Sequence, residues 1–99
     1  MIVERIVFQA KYGKGDALVA LFKESAKVAP PSSMGRNPRL LTDRSGQFFT
    51  IVLEAEWESF AEWEKAFGRM FSDPKLQSLM ERSTPLIESG RREFYNVEM

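Results

Sequence analysis

Three groups of side chains have the types and spacing from which chemistry is built. Glu54, Glu56 and Glu58 alternate at the end of an apolar run, so two of them share a face. Paired carboxylates can move protons or hold a divalent cation. Arg36, Arg39 and Arg44 form a basic group able to grip an anionic substrate. Phe60, Trp63 and Phe67 recur at helical spacing and can wall an apolar pocket, while Tyr12 and Tyr95 are the only phenolic donors.

Each group also has a plainer reading. The aromatic stripe can be ordinary core. The arginines can pair with the acidic run from Glu54 to Glu64, which contains no Lys or Arg. The tyrosines can pack with their hydroxyls at the surface. Gly13-Lys14-Gly15 has neither phosphate-loop spacing and reads as a turn.

Missing residue types narrow the field further. The chain has no cysteine, which removes disulfides, thiolate metal sites and a cysteine nucleophile. It has no histidine, so the commonest general base and metal ligand are absent and no Ser-His-Asp triad can form. No metal and no cofactor are therefore expected, and no catalytic residue can be named. Fourteen basic residues balance fourteen acidic ones, which argues against a dedicated nucleic-acid or membrane-surface binder. Charge at Glu4 and Arg5 interrupts the start where a secretory leader needs its apolar core, and no apolar run reaches the roughly 20 residues of a membrane span. A cytoplasmic chain is the expectation.

The elements that must position these side chains follow from periodicity. Ninety-nine residues make room for one domain, 1–99. Residues 2–11 alternate as a strand, with Ile2, Glu4, Ile6, Phe8 and Ala10 on one face. Asp16 is placed to cap a helix that Pro30 and Pro31 must end. Residues 30–38 read as a loop and a candidate lid. A strand over 39–43 and a strand over 47–56 form a hairpin, with Phe49, Ile51, Leu53 and Ala55 facing one way. Ser59 and Glu62 match a capping box opening the second helix. Gly68 inside that helix suggests a close backbone approach. Asp73 and Pro74 restart the helix, Ser89-Gly90 marks a turn, and 91–98 reads as the last strand.

The order is strand, helix, strand, strand, helix in two pieces, strand. This predicts an α+β, ferredoxin-like βαββαβ sandwich. One face of its sheet lies under the helices. The other carries Val3, Val7, Phe48 and Val52 among polar residues, too apolar for open water. A homodimer packed through that sheet face is expected. RNA-binding domains share this order, but Gly46-Gln47-Phe48-Phe49-Thr50 lacks the basic-Gly pair of their third strand.

Trp57-Glu58-Ser59-Phe60, Ser72-Asp73-Pro74 and Arg91-Arg92-Glu93-Phe94-Tyr95 carry a resemblance. With them the chain is similar, over nearly its whole length, to the dimeric α+β barrel superfamily, and most to NIPSNAP-type and antibiotic-biosynthesis-monooxygenase-like domains. The resemblance implies two sheets packed face to face across a dimer. It also implies a small pocket in each subunit between sheet and helices, often holding an aromatic or polyketide-like compound. Some relatives oxidise such compounds with O₂ and no cofactor. The histidine that catalytic relatives often carry on the second helix is absent.

Two functions are compatible with these features. One is a small-molecule-binding protein, extending to a cofactor-independent, monooxygenase-like or isomerase-like activity on a small apolar, aromatic or polyketide-like ligand, with Tyr12, Arg39, Trp63 and Phe67 as candidate ligand contacts. The other is a non-catalytic homodimeric interaction module that would have no pocket.

Overall fold

The computed structural model describes all 99 residues. Its elements are β1 (Ile2–Ala10), α1 (Gly15–Val28), β2 (Arg36–Thr42), β3 (Thr50–Trp57), α2 (Phe60–Phe71), α3 (Pro74–Ser83) and β4 (Ile87–Asn96), with single 3₁₀ turns at Pro31–Ser33 and Thr84–Leu86. The strands form one antiparallel sheet in the order β2-β3-β1-β4. This is the α+β, ferredoxin-like βαββαβ arrangement that the sequence predicts.

The helix starts follow local chemistry. Ser59 caps α2 by accepting a 3.2 Å hydrogen bond from the Glu62 N–H. Asp73 caps α3 through the Lys75 N–H at 2.9 Å, with Pro74 in the first turn. The first helix differs from expectation. It begins at Gly15 behind Lys14 with no side-chain cap, so Asp16 lies inside the first turn. There it complements the positive end of the helix instead of capping it.

Strand boundaries move where side chains compete with the ladder. Thr50 donates its N–H to Asp43 Oδ1 at 3.0 Å and its hydroxyl to the Gln47 carbonyl at 2.8 Å, which draws 47–49 into the turn. Phe49 has a positive φ of 59° there, and β3 begins only at Thr50. The second strand starts early, at Arg36, through an irregularity in register between Arg36 and Arg39. The expected turn at Ser89-Gly90 lies inside β4. Gly90 stands opposite Phe8, and a Cβ there would come within 3.1 Å of the Phe8 ring, so the glycine keeps the strands in register beside a bulky side chain. Gly68 makes no close approach, since a Cβ there would meet nothing within 4 Å.

Only 14 of the 99 residues are buried, and all the buried apolar ones but Ala55 fall into three separate clusters. Ile2, Trp57 and Ala66 close one end of the sheet. Ala10, Leu18 and Ile51 close the other. Leu21, Leu76 and Leu79 bind α1 to α3. Helices α1 and α2 each pack more extensively on α3 than on one another. The splay leaves a space over the middle of the sheet.

Candidate functional site

The floor of that space is set by register. Leu40, Leu53, Ile6 and Arg92 are successive cross-strand partners, one from each strand. Directly paired residues point to the same face, so these four form one row under the helices, roughly 14 Å long at the usual strand spacing. Ala55, Glu4 and Phe94 form the adjoining row. Phe22 and Ala26 of α1 and Trp63 and Phe67 of α2 supply walls, and Met34 of the connecting strap closes one side. The cavity is open on one side and has a volume of about 450 Å³, within the usual range for small-molecule sites.

Glu4 is the polar centre. It retains only 8% of its accessible surface. A carboxylate so placed must find partners, and it finds three. Its Oε1 accepts from Trp57 Nε1 at 3.0 Å; its Oε2 accepts from Trp63 Nε1 at 2.9 Å and from Arg92 Nε at 3.0 Å. Trp63 and Phe67 stack with centroids 5.0 Å apart. The Arg92 guanidinium carbon lies 5.3 Å from the Trp63 ring centroid and 4.9 Å from that of Phe67. The aromatic wall, the cation and the carboxylate therefore hold one another.

Gly35 fixes the strap. Its φ is +70°, and a Cβ there would lie 2.8 Å from the Glu56 carbonyl and 3.0 Å from Trp57. The Ser33 hydroxyl donates to the Pro30 carbonyl at 2.7 Å. The segment expected as a loose lid is thus tied to itself and wedged on β3.

The four candidate contacts separate. Trp63 and Phe67 wall the cavity. Arg39 borders it, yet its guanidinium bonds to Glu54, whose partner across β1 is Arg5. By strand alternation these three belong to the opposite face of the sheet. Tyr12 is 84% exposed, sits edge-on to Phe49 at 5.0 Å, and is no part of the cavity wall. Glu4, Arg92 and Trp57 escaped the sequence reading. The available clue was a charged residue in the apolar row Ile2, Glu4, Ile6, Phe8.

The opposite face carries Glu54 between Arg5 and Arg39, with 12% of its side chain accessible. The Arg39 hydrogen bond, then that of Arg5, holds the Glu54 carboxyl below the usual glutamate range against the opposing effect of burial. Arg91, then Tyr95, does the same for Glu93. Val7 and Val52 pair beside them half-buried, while Leu41 and Tyr95 are exposed. Arg36 reaches Glu58 at 3.3 Å and Glu62 at 3.9 Å, and Arg44 makes no ion pair. No three acidic side chains converge on a metal-sized site. No helix is long and apolar enough to cross a membrane. The cavity can hold a flat apolar molecule against indole and phenyl rings, with a guanidinium at one end.

No protein-family profile matches this chain, and no curated protein sequence does. Solved structures do. A NIPSNAP family protein of Agrobacterium tumefaciens superposes with a TM-score of 0.86 at 19% identity, covering 96% of this chain and 90% of that one. An uncharacterised NIPSNAP domain protein of Burkholderia xenovorans gives 0.79 at 19% identity, with 98% and 94% covered. An antibiotic biosynthesis monooxygenase gives 0.75 at 13% identity, with 98% of each chain covered. The chain shares the fold of both groups, as its sequence resemblance implies.

Proposed function

We propose that this chain is a small-molecule-binding protein of the NIPSNAP-like type that holds a flat apolar or aromatic compound in the cavity between sheet and helices. The observation that carries the reading is the divided core. Three small clusters surround about 450 Å³ of space with a mostly apolar lining. A chain of this size has little apolar burial to spare, and an unfilled interior forgoes contacts that packed side chains would make. Trp63 and Phe67 are proposed as the ligand's flat wall. Arg39 contributes only an edge of the cavity, and Tyr12 has no part in it.

Any chemistry there is chemistry the ligand brings. With no histidine or cysteine in the chain, the protein contributes confinement, orientation and hydrogen bonding. Cofactor-independent oxidation of an easily oxidised aromatic compound fits those terms, as the likeness to a monooxygenase fold suggests.

The far sheet face supports a homodimer. Val7, Val52, Leu41 and Tyr95 surround the Arg5–Glu54–Arg39 group, and a second copy would cover apolar surface and ion pairs together. Light scattering on the eluting protein should return twice the chain mass, and Val52→Asp should return one chain mass. A monomeric wild type sinks the dimer.

The binding reading is tested by thermal unfolding against small aromatic, quinol and fatty-acyl compounds. A ligand at one hundred times its Kd adds about 2.7 kcal/mol, several degrees for a chain this small. Absence of any saturable shift across the panel overturns it in favour of a pure interaction module.

A further inference from the structure

We infer that the ligand carries one acidic oxygen group, that this group docks on the outer edge of the Arg92 guanidinium, and that Glu4 is the positioning residue that aims that edge. The inference rests on the cavity being a binding site and specifies what it selects.

The polar groups around the cavity can be accounted for one by one. Ser25 and Ser33 donate to the carbonyls of Leu21 and Pro30. Glu54 and Arg39 are engaged with each other on the other face. The Glu4 carboxylate accepts three hydrogen bonds. Two cations remain with capacity to spare. Lys23 is exposed on α1 at the cavity's border and has no ion-pair partner. Arg92 spends only its Nε on Glu4; its two Nη nitrogens have no protein acceptor, and about a third of its side chain stays accessible.

The charges sum accordingly. Arg92 and Lys23 against Glu4 leave one positive charge, while Glu54 is taken up by Arg5 and Arg39 on the other face. One anionic group on the ligand balances it. Position strengthens the point, because Arg92 ends the floor row Leu40–Leu53–Ile6–Arg92. A flat body lying along that row reaches the guanidinium edge-on. A guanidinium has five N–H donors in one plane, so an arginine held at Nε still offers both Nη groups to a second acceptor. The Trp63 and Phe67 rings hold that plane from one side and Glu4 from its inner edge. Lys23, on a flexible stem at the border, lacks such fixing.

The test uses a matched pair of probes, 2-naphthoate and the uncharged 2-naphthalenemethanol, titrated calorimetrically into the full chain at pH 7. The naphthoate should bind about tenfold tighter or more, the usual advantage of a charge-assisted hydrogen bond. Arg92→Gln should abolish the preference, weakening the naphthoate about tenfold more than the alcohol, and an unchanged far-ultraviolet circular dichroism spectrum should show that the variant folds. Arg92→Lys, the milder variant, should retain part of the preference. Glu4→Gln keeps an acceptor for an indole but loosens the arginine. It should shrink the ratio between the two affinities, whereas a merely structural role would weaken both probes equally and leave the ratio unchanged.

The outcomes separate the two levels of the claim. Equal affinity for both probes overturns the acidic-group inference and leaves the binding site standing. A preference that survives Arg92→Gln overturns the assignment to Arg92 and transfers it to Lys23. Failure of both probes, together with a silent compound panel, removes the binding site and this inference with it.

Discussion

The two faces of the sheet each carry a glutamate on one of the central strands, and each glutamate gathers several donors. Glu4 points under the helices to two indoles and one guanidinium. Glu54 points the other way to two guanidinium groups. Indole N–H groups on rigid rings leave their partner little freedom. The flexible Arg5 and Arg39 are 42% and 61% accessible, and water can replace either. The inner group is therefore part of the fold. The outer group is a surface feature whose value depends on what covers it.

Removing each carboxylate should separate the two cases most sharply. Glu4→Ala leaves the buried Trp57 N–H without its acceptor and deprives Arg92 of its counter-charge. The expected loss is about 3 kcal/mol or more in urea unfolding. Glu54→Ala should cost less than about 1 kcal/mol for the isolated chain. If a second copy covers the far face, the Glu54→Ala loss will grow with protein concentration while the Glu4→Ala loss will not. Similar losses from both substitutions at every concentration would erase the distinction.

Gly35 probes the inner face from its rim. Ala at this position combines an unfavourable positive φ with a Cβ pressed onto the Glu56 carbonyl and Trp57. A loss above about 1 kcal/mol is expected, with a change in Trp57 fluorescence as the strap lifts. Unchanged stability would mean that the strap moves freely and that the cavity wall is softer than the inner face requires.

Acid should act on the outer face. The folded carboxyls of Glu54 and Glu93 titrate below their unfolded values, so they bind protons less readily folded than unfolded. Their contribution is complete above the unfolded glutamate pKa of about 4.3 and is lost as pH falls through the lower folded values. The unfolding midpoint should decline on acidification from pH 5 to pH 3, and Glu54→Gln should flatten that decline. An identical slope in the variant would show that Arg5 and Arg39 do not hold this carboxylate in solution.

The same contrast explains what the sequence made legible. Element order, the Ser59 and Asp73 caps and the helix break at Pro30 depend on neighbours within a few residues. The aromatic stripe led to Trp63 and Phe67 because helical spacing is itself local. Glu4 and Arg92 are 88 residues apart, and only the β1–β4 register makes them partners. Arg39 shows a subtler limit. The irregularity between Arg36 and Arg39 resets which side chains of β2 face the helices, and Leu40 takes the floor position while Arg39 turns outward. Tyr12 is a candidate by its chemistry alone, and no periodicity locates a residue in a turn. Glu4 was the recoverable case, since alternation already placed its charge in an apolar row.

Gly68 offers the smallest test and one of opposite sign. It lies inside α2 beside the cavity-lining Phe67, but nothing stands within 4 Å of the place its Cβ would occupy. Glycine in a helix interior costs about 0.5–1 kcal/mol relative to alanine, mainly through the freedom of the unfolded chain. Gly68→Ala should therefore stabilise by about that amount in urea unfolding. Probe affinity and oligomeric state should not change, because the substitution adds bulk to neither face of the sheet. A loss of stability, or a change in chain mass by light scattering, would mean that a second copy approaches α2 closely at this point. The helix layer would then be an interface in its own right, and the contrast between the inner and outer faces of the sheet would no longer describe the molecule.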